Sequence, residues 1–311
     1  MTDKIEKILL VLLFLVFVSL DAAYLNVFNS LKVPCCADYD WSNFHYPNIQ
    51  RLLSGNAAPL FAYPPFFTLS MSLVAWMPTQ VLEILISSAL FGSILFFTYR
   101  IKGAIISSIV GLMLISSSVF LSYSLSLAPT VIDIILFLLV SLFLYEKKPA
   151  PASVVMIFLM YNHALNIFWF LIVLAYSLIY RKEYLKYLGI IFILSLPVLY
   201  AFTLPNIVGT SIFSQGFISY SYSDPFLKSL MSPLQQLLSF SGIALWLMLP
   251  VTIYSMYRFR KFSEIDAFCF FWMLSFIIFA ELDPRWLFLF VIPFSIFEGL
   301  MISKLIEPRR F

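Results

Sequence analysis

Apolar runs of membrane-spanning length recur along the chain at roughly 8–22, 80–99, 103–125, 127–145, 151–162, 164–180, 184–204, 240–257, 263–280 and 286–304, with short polar breaks between them. A helix needs about 20 predominantly apolar residues to cross a bilayer. The pattern therefore predicts an all-α polytopic integral membrane protein, with about ten transmembrane helices forming a single transmembrane domain over residues 1–311. The first run, Ile8 to Leu20, follows Lys4 and Lys7 as a signal peptide would, but Asp21 stands where a small-residue cleavage site is needed. It is expected to be the first transmembrane helix, ended by Asp21.

Two apolar pieces are short for a crossing. Tyr63 to Met77 opens on Tyr63-Pro64-Pro65, and Pro151 to Tyr161 stops at Tyr161-Asn162-His163. Broken helices of this kind line protein cavities, because freed backbone groups cannot face lipid. The first is expected to be re-entrant or interfacial, the second a short crossing.

Basic residues flank the cytoplasmic ends of spans. With that assignment Lys4/Lys7, Arg100/Lys102, Lys147/Lys148, Arg181/Lys182/Lys186, Arg258/Arg260/Lys261 and Lys304/Arg309/Arg310 share the cytoplasmic side. Only Lys32, Arg51, Lys228 and Arg285 of the 19 Lys and Arg fall outside. Both termini are then cytoplasmic, and the polar loops about 21–62 and about 205–239 are external, with a tight third at Glu281 to Arg285. In the first loop Asn43 is expected to cap a helix running to about Leu53, with Pro47 in its first turn. Tyr46, Ile49, Leu52 and Leu53 share a face, so this helix should lie along the membrane surface. Asp224-Pro225 is expected to start a second interfacial helix, Phe226 to Phe240.

Composition agrees with the pattern: 62% of residues are hydrophobic and 11% charged, against roughly 25% charged in soluble domains. The 18% aromatic content is assigned mainly to lipid contact, packing and interfacial belts, with Trp41, Tyr46, Tyr63 and Trp286 set apart by their place beside the candidate site. Cys35, Cys36 and Cys269 make neither a disulfide framework nor a zinc signature. No nucleotide-binding loop, haem, flavin or nucleic-acid motif occurs, which disfavours chemistry on a cytoplasmic nucleotide-sugar.

Acids kept outside or within an apolar chain are functional candidates, because they are expensive there. Asp21, Asp38 and Asp40 are expected near one helix end, enough for a general base or a divalent metal, while the plain alternative is a set of solvated loop acids with Asp40 or Ser42 as a cap. Asp133 should face the bundle and meet a partner, through either a structural hydrogen bond or a substrate contact. Glu83 belongs to a cavity if 63–77 is re-entrant and to a cytoplasmic flank if it crosses.

The run from Asp38 to Phe67, DYDWSNFHYPNIQRLLSGNAAPLFAYPPFF, resembles the GT-C superfamily of membrane glycosyltransferases. Asp40, Phe44, Gly55 and Tyr63-Pro64-Pro65 fill the places of its acid, aromatic, glycine and Tyr-Pro-Pro, most like the mannosyltransferases that use polyprenyl- or dolichyl-phosphate mannose. Pro284-Arg285-Trp286 is similar to the family's terminal Arg-aromatic element. About 30 residues match closely, and the rest matches in general architecture.

The resemblance implies an inverting glycosyltransferase moving a hexose, mannose in these branches, from a polyprenyl-phosphate donor to a lipid- or protein-linked acceptor on the extracytoplasmic face. Such a transfer needs a carboxylate to deprotonate the acceptor hydroxyl. Asp40 is the first choice for it and Asp38 the second. Arg285 offers a planar fork to the leaving phosphate, or else ties its own loop through Glu281 or Asp283. His163 stands where related enzymes often carry a basic residue near a proline, with either phosphate or hydroxyl binding or a loop carbonyl as its partner. Tyr63, Asp21 and His45 complete the substrate-binding candidates, with packing the alternative for His45. The resembled families include members with and without a divalent cation such as Mg or Mn, and Asp38 and Asp40 are its candidate ligands. The implied partners are the lipid-linked donor, the acceptor and membrane lipid, with no nucleic acid. The membrane is the cell membrane, or the endoplasmic reticulum in a eukaryote. Two rivals stand beside it: a lipid or sugar transporter or flippase, and a catalytically inert relative acting as an assembly subunit.

Overall fold

A computed structural model describes residues 2–31, 41–62, 64–163, 166–203, 243–259, 262–280 and 284–306. Every regular element among the described residues is helical. Lys4–Asn26, Thr79–Lys102, Lys182–Phe202 and Phe288–Ile306 are long and apolar enough to cross a membrane. On the first of these, Ile5, Ile8, Val11, Leu12, Leu15 and Val16 are all exposed, as are Ile190, Phe192, Ile193, Leu194 and Leu196 on the third. Apolar faces this continuous suit lipid rather than water. The chain is an all-α membrane protein.

The first helix, α1 (Thr2–Leu31), passes through Asp21 instead of ending there. Asp21 is fully buried, and Ser87 Oγ donates to its Oδ2 at 2.5 Å. A carboxyl group with a neighbouring hydroxyl can stay inside a helix pair that a bare one would break, so the helix continues to Leu31, about ten residues further than the sequence predicts.

The chain divides into two compact units, one of residues 1–16, 94–123 and 211–311, the other of residues 17–93 and 124–210. In the first, the expected span 103–125 is two helices, α6 (Ala104–Ile115) and α7 (Ser118–Ser124). Three consecutive serines explain the break: Ser116 Oγ turns back to the Met113 carbonyl, and Ser117 Oγ accepts the Phe120 amide and caps α7. The same unit holds α12 (Ile243–Phe259), α13 (Glu264–Ala280) and α14 (Pro284–Ile306). Helix α14 is buried from Phe288 to Lys304, packed against α13, α12 and α6. Ser263 and Asp266 cap α13 reciprocally, and Asp266 Oδ2 meets Lys304 Nζ at 2.6 Å, so the start of α13 lies beside the end of α14.

In the second unit a π-helical turn, Trp41–His45, runs into α2 (Tyr46–Leu53). His45, helical and without a capping side-chain bond, stands at the N-cap where Asn43 is expected. Then come α3 (Pro59–Ala62), α4 (Pro65–Ser72), the first part of α5 (Thr79–Lys102), α8 (Pro129–Tyr145), α9 (Pro149–Met160), α10 (Ile167–Tyr180) and α11 (Leu185–Val198). The eight residues of α4 rise about 12 Å, far short of the roughly 30 Å hydrocarbon core, so the 63–77 segment does not cross as one helix. The surface helix is also corrected in part: Ile49 is fully buried and Leu52 half-buried, whereas Tyr46 and Leu53 are exposed.

Helices α8 and α9 form a hairpin whose turn places Lys147 in the left-handed region, φ 58°. The Tyr184 hydroxyl donates to the Leu144 carbonyl at 3.2 Å. The Lys147/Lys148 turn and the Arg181/Lys182 turn therefore share one end of this unit.

Candidate functional site

The opposite end of the same unit carries its polar chemistry. Helix α2 closes with the Gly55 amide donating to Leu52 and the Asn56 amide to Arg51, both at 3.0 Å. That closure needs the left-handed Gly55, φ 90°, where any Cβ is strained. It gives the glycine of the sequence pattern a backbone reason. Asn56 Oδ1 then accepts the Ala58 amide at 2.9 Å and turns the chain toward α3.

Pro65 supplies the first residue of α4, a position where its missing N–H is no loss. The next amide, on Phe66, has no partner within its own helix and donates to the Tyr161 carbonyl at 3.1 Å. The two breaks that stand out in the sequence, Tyr63-Pro64-Pro65 and Tyr161-Asn162-His163, are thus joined. Beneath them Trp41, Ile49, Phe67, Met71, Leu82 and Leu127 form one buried apolar cluster.

Asp133, one turn into α8 and 1% exposed, meets the second break. Its Oδ1 accepts from Asn162 Nδ2 at 2.7 Å and from Asn166 Nδ2 at 2.5 Å, and His163 Nδ1 lies 3.4 Å from its Oδ2. Asn162 also donates to the Pro129 carbonyl at 3.0 Å and Asn166 to the Leu159 carbonyl. The amide oxygens of both asparagines are buried without a hydrogen-bond partner among the described residues. The carboxyl group is ringed by donors, and the break between α9 and α10 folds around it. The expectation that Asp133 faces inward and meets a partner is met.

His163 keeps 23% of its side chain exposed. His45 is 5% exposed and sits edge-on to Phe67, ring centroids 4.8 Å apart. Burial lowers the His45 imidazole to about 4, and the charge of His163 acts in the same direction, so the two rings feel each other. Packing is the alternative that the geometry favours for His45. Glu83, in the second turn of α5, is buried as well.

Asp38, Asp40 and Tyr63 lie outside the described residues, as do Asp224 and its loop, Glu281 and Asp283. Arg285 and Trp286 are placed in the first turn of α14, their side chains outside the described set. Trp41, next in sequence after Asp40, is 3% exposed in the apolar cluster. No group of three His, Cys, Asp or Glu able to hold a metal occurs among the described residues.

Asn162 and Asn166 have no role in the sequence-based expectations. Their spacing of four at a helix break, facing an intramembrane acid, was the available signal. No protein-family model matches the chain, and no curated protein matches it.

Proposed function

We propose that the chain is an inverting membrane glycosyltransferase of the GT-C type. It moves a hexose, mannose by resemblance, from a polyprenyl phosphate to a lipid- or protein-linked acceptor on the extracytoplasmic face. About ten crossings hold both termini in the cytoplasm. The acceptor hydroxyl oxygen attacks the anomeric carbon, the bond from that carbon to the phosphate oxygen breaks, and the lipid phosphate leaves with the electron pair. Asp40 takes the hydroxyl proton, with Asp38 beside it as the second choice. Arg285 offsets charge on the leaving phosphate. His163 and Tyr63 contact substrate, while Asp21 and His45, the other substrate-binding candidates, are buried against Ser87 and Phe67. A divalent ion, where one is used, would be held by Asp38 and Asp40, and the effect of a chelator on transfer tests for it.

The observation that carries this proposal is positional. The joined breaks, with Asp133 and His163, occupy the end of their unit opposite the Lys147/Lys148 and Arg181/Lys182 turns. By the rule that basic flanks stay in the cytoplasm, that is the extracytoplasmic end. Here a lipid-linked donor can enter sideways, and no nucleotide is needed. A transporter also uses broken helices, but the Asp40-to-Pro65 pattern occurs once in the sequence, without the internal repeat common in transporters. Mass spectrometry of polyprenyl-linked and surface glycans in cells with and without the protein tests the proposal. One glycan should lose a single hexose when the protein is absent, and an unchanged glycan profile would contradict it.

A further inference from the structure

Asp133 does more than fill a polar hole. Two asparagines occupy its Oδ1, which leaves Oδ2 for His163. Asn162 and Asn166 are themselves fixed by the Pro129 and Leu159 carbonyls, so the carboxylate has little freedom to turn away. A ring nitrogen 3.4 Å from a carboxylate oxygen is a small rotation from a hydrogen bond, and such contacts commonly tighten when substrate binds. In a neutral imidazole one nitrogen carries the proton and the other accepts. A carboxylate beside Nδ1 decides which is which.

We propose that Asp133 is a positioning residue that holds His163 as its Nδ1–H tautomer, so that Nε2 accepts a hydrogen bond from a hydroxyl of the sugar substrate. This rests on the glycosyltransferase assignment for its substrate class and names the residues that recognise the sugar. His163 is suited to the role because its ring is partly exposed while its anchor is buried. Asp133, held by Asn162 and Asn166, faces the Nδ1 of this ring, and the neighbouring His45 imidazole is uncharged at neutral pH. Asp133 acts through His163 and touches no substrate.

The chain has 2 histidines, so selective ¹⁵N-histidine labelling gives two rings to resolve, and a His45→Phe variant assigns them. In wild-type protein at neutral pH the neutral His163 ring should show a protonated Nδ1 and a bare Nε2. Methyl α-mannoside should then shift the Nε2 resonance. Asp133→Asn should lose the tautomer preference and the response to sugar. A predominant Nε2–H tautomer, or an Nε2 resonance indifferent to the sugar, would overturn the assignment.

Where Asp133→Asn fails to fold, steady-state transfer by His163 variants decides. His163→Asn, too short to reach with an acceptor, should raise KM about tenfold with kcat within about threefold, the loss expected of one hydrogen bond. His163→Gln, whose amide oxygen lies near the Nε2 position, should recover much of that loss. Equal KM values in all three proteins would remove His163 from recognition and leave the transferase assignment standing. The NMR signature without turnover of any polyprenyl-phosphate sugar would do the reverse.

Discussion

The Phe66 amide donates to the Tyr161 carbonyl at 3.1 Å, and through this bond the proline-opened helix and the Asn-His break form one structure. An amide in the first turn of a helix has no partner within that helix. Disturbing the far side of the bond should therefore be felt at Phe66. Asn162→Ala, which removes donors to Asp133 and Pro129, should speed hydrogen exchange at Phe66 by about tenfold or more, in line with the loss of buried hydrogen bonds to a charged group. Unchanged exchange in a folded variant would mean that the breaks are independent.

Lys304 and Asp266 form a buried ion pair at 2.6 Å, closed off by the Phe262 ring 5.7 Å from the ammonium. Removing one partner of such a pair strands the other charge and costs about 3–5 kcal/mol. Lys304→Met should thus lower the thermal midpoint in detergent sharply. The double variant with Asp266→Leu should recover most of the loss, and a double variant no better than the single one would show that the pair does not act as a unit.

Gly299 lets α14 come close to α6. A Cβ built there would stand 2.5 Å from Val110 Cγ2 and 3.3 Å from Ile106 Cγ2. Gly299→Val should destabilise by about 1–3 kcal/mol through overpacking. Pairing Gly299→Ala with Val110→Ala should be tolerated better than Gly299→Ala alone. Equal unfolding midpoints for those two proteins would contradict the close packing.

His45 sets an acid limit on stability. Its imidazole is held at about 4 in the folded chain against 6.5 unfolded, so the unfolded state binds more protons between those values. The stabilisation is full above about pH 6.5 and is lost as pH falls toward 4, by about 3 kcal/mol in total. Thermal unfolding at pH 7.5 and pH 4.5 should show this loss in wild type and a reduced one in His45→Phe. Identical pH dependence in the two proteins would count against His45 as the titrating group.

The helical membrane character was legible from hydrophobic runs, because a lipid environment demands long apolar stretches regardless of tertiary detail. The inward turn of Asp133 was legible for the same reason. Helix ends were less so. Asp21 reads as a terminator until Ser87, 66 residues away, supplies its hydrogen bond, and the serine break after Ile115 is hidden in a run of fair hydropathy. The bond between Phe66 and Tyr161 joins backbone atoms far apart in sequence and leaves no mark on residue type. Asn162 and Asn166 could be placed only once Asp133 had a position.

Transfer in reconstituted vesicles, with a radiolabelled polyprenyl-phosphate hexose and an acceptor lipid, tests the central claim most directly. Wild-type protein should give a glycosylated acceptor with inverted anomeric configuration. Asp40→Asn protein, folded to the same thermal midpoint, should lose at least about a hundredfold in rate, as for removal of a general base. Full transfer by Asp40→Asn would remove Asp40 from that role, and wild-type protein that turns over none of these donors would contradict the glycosyltransferase assignment.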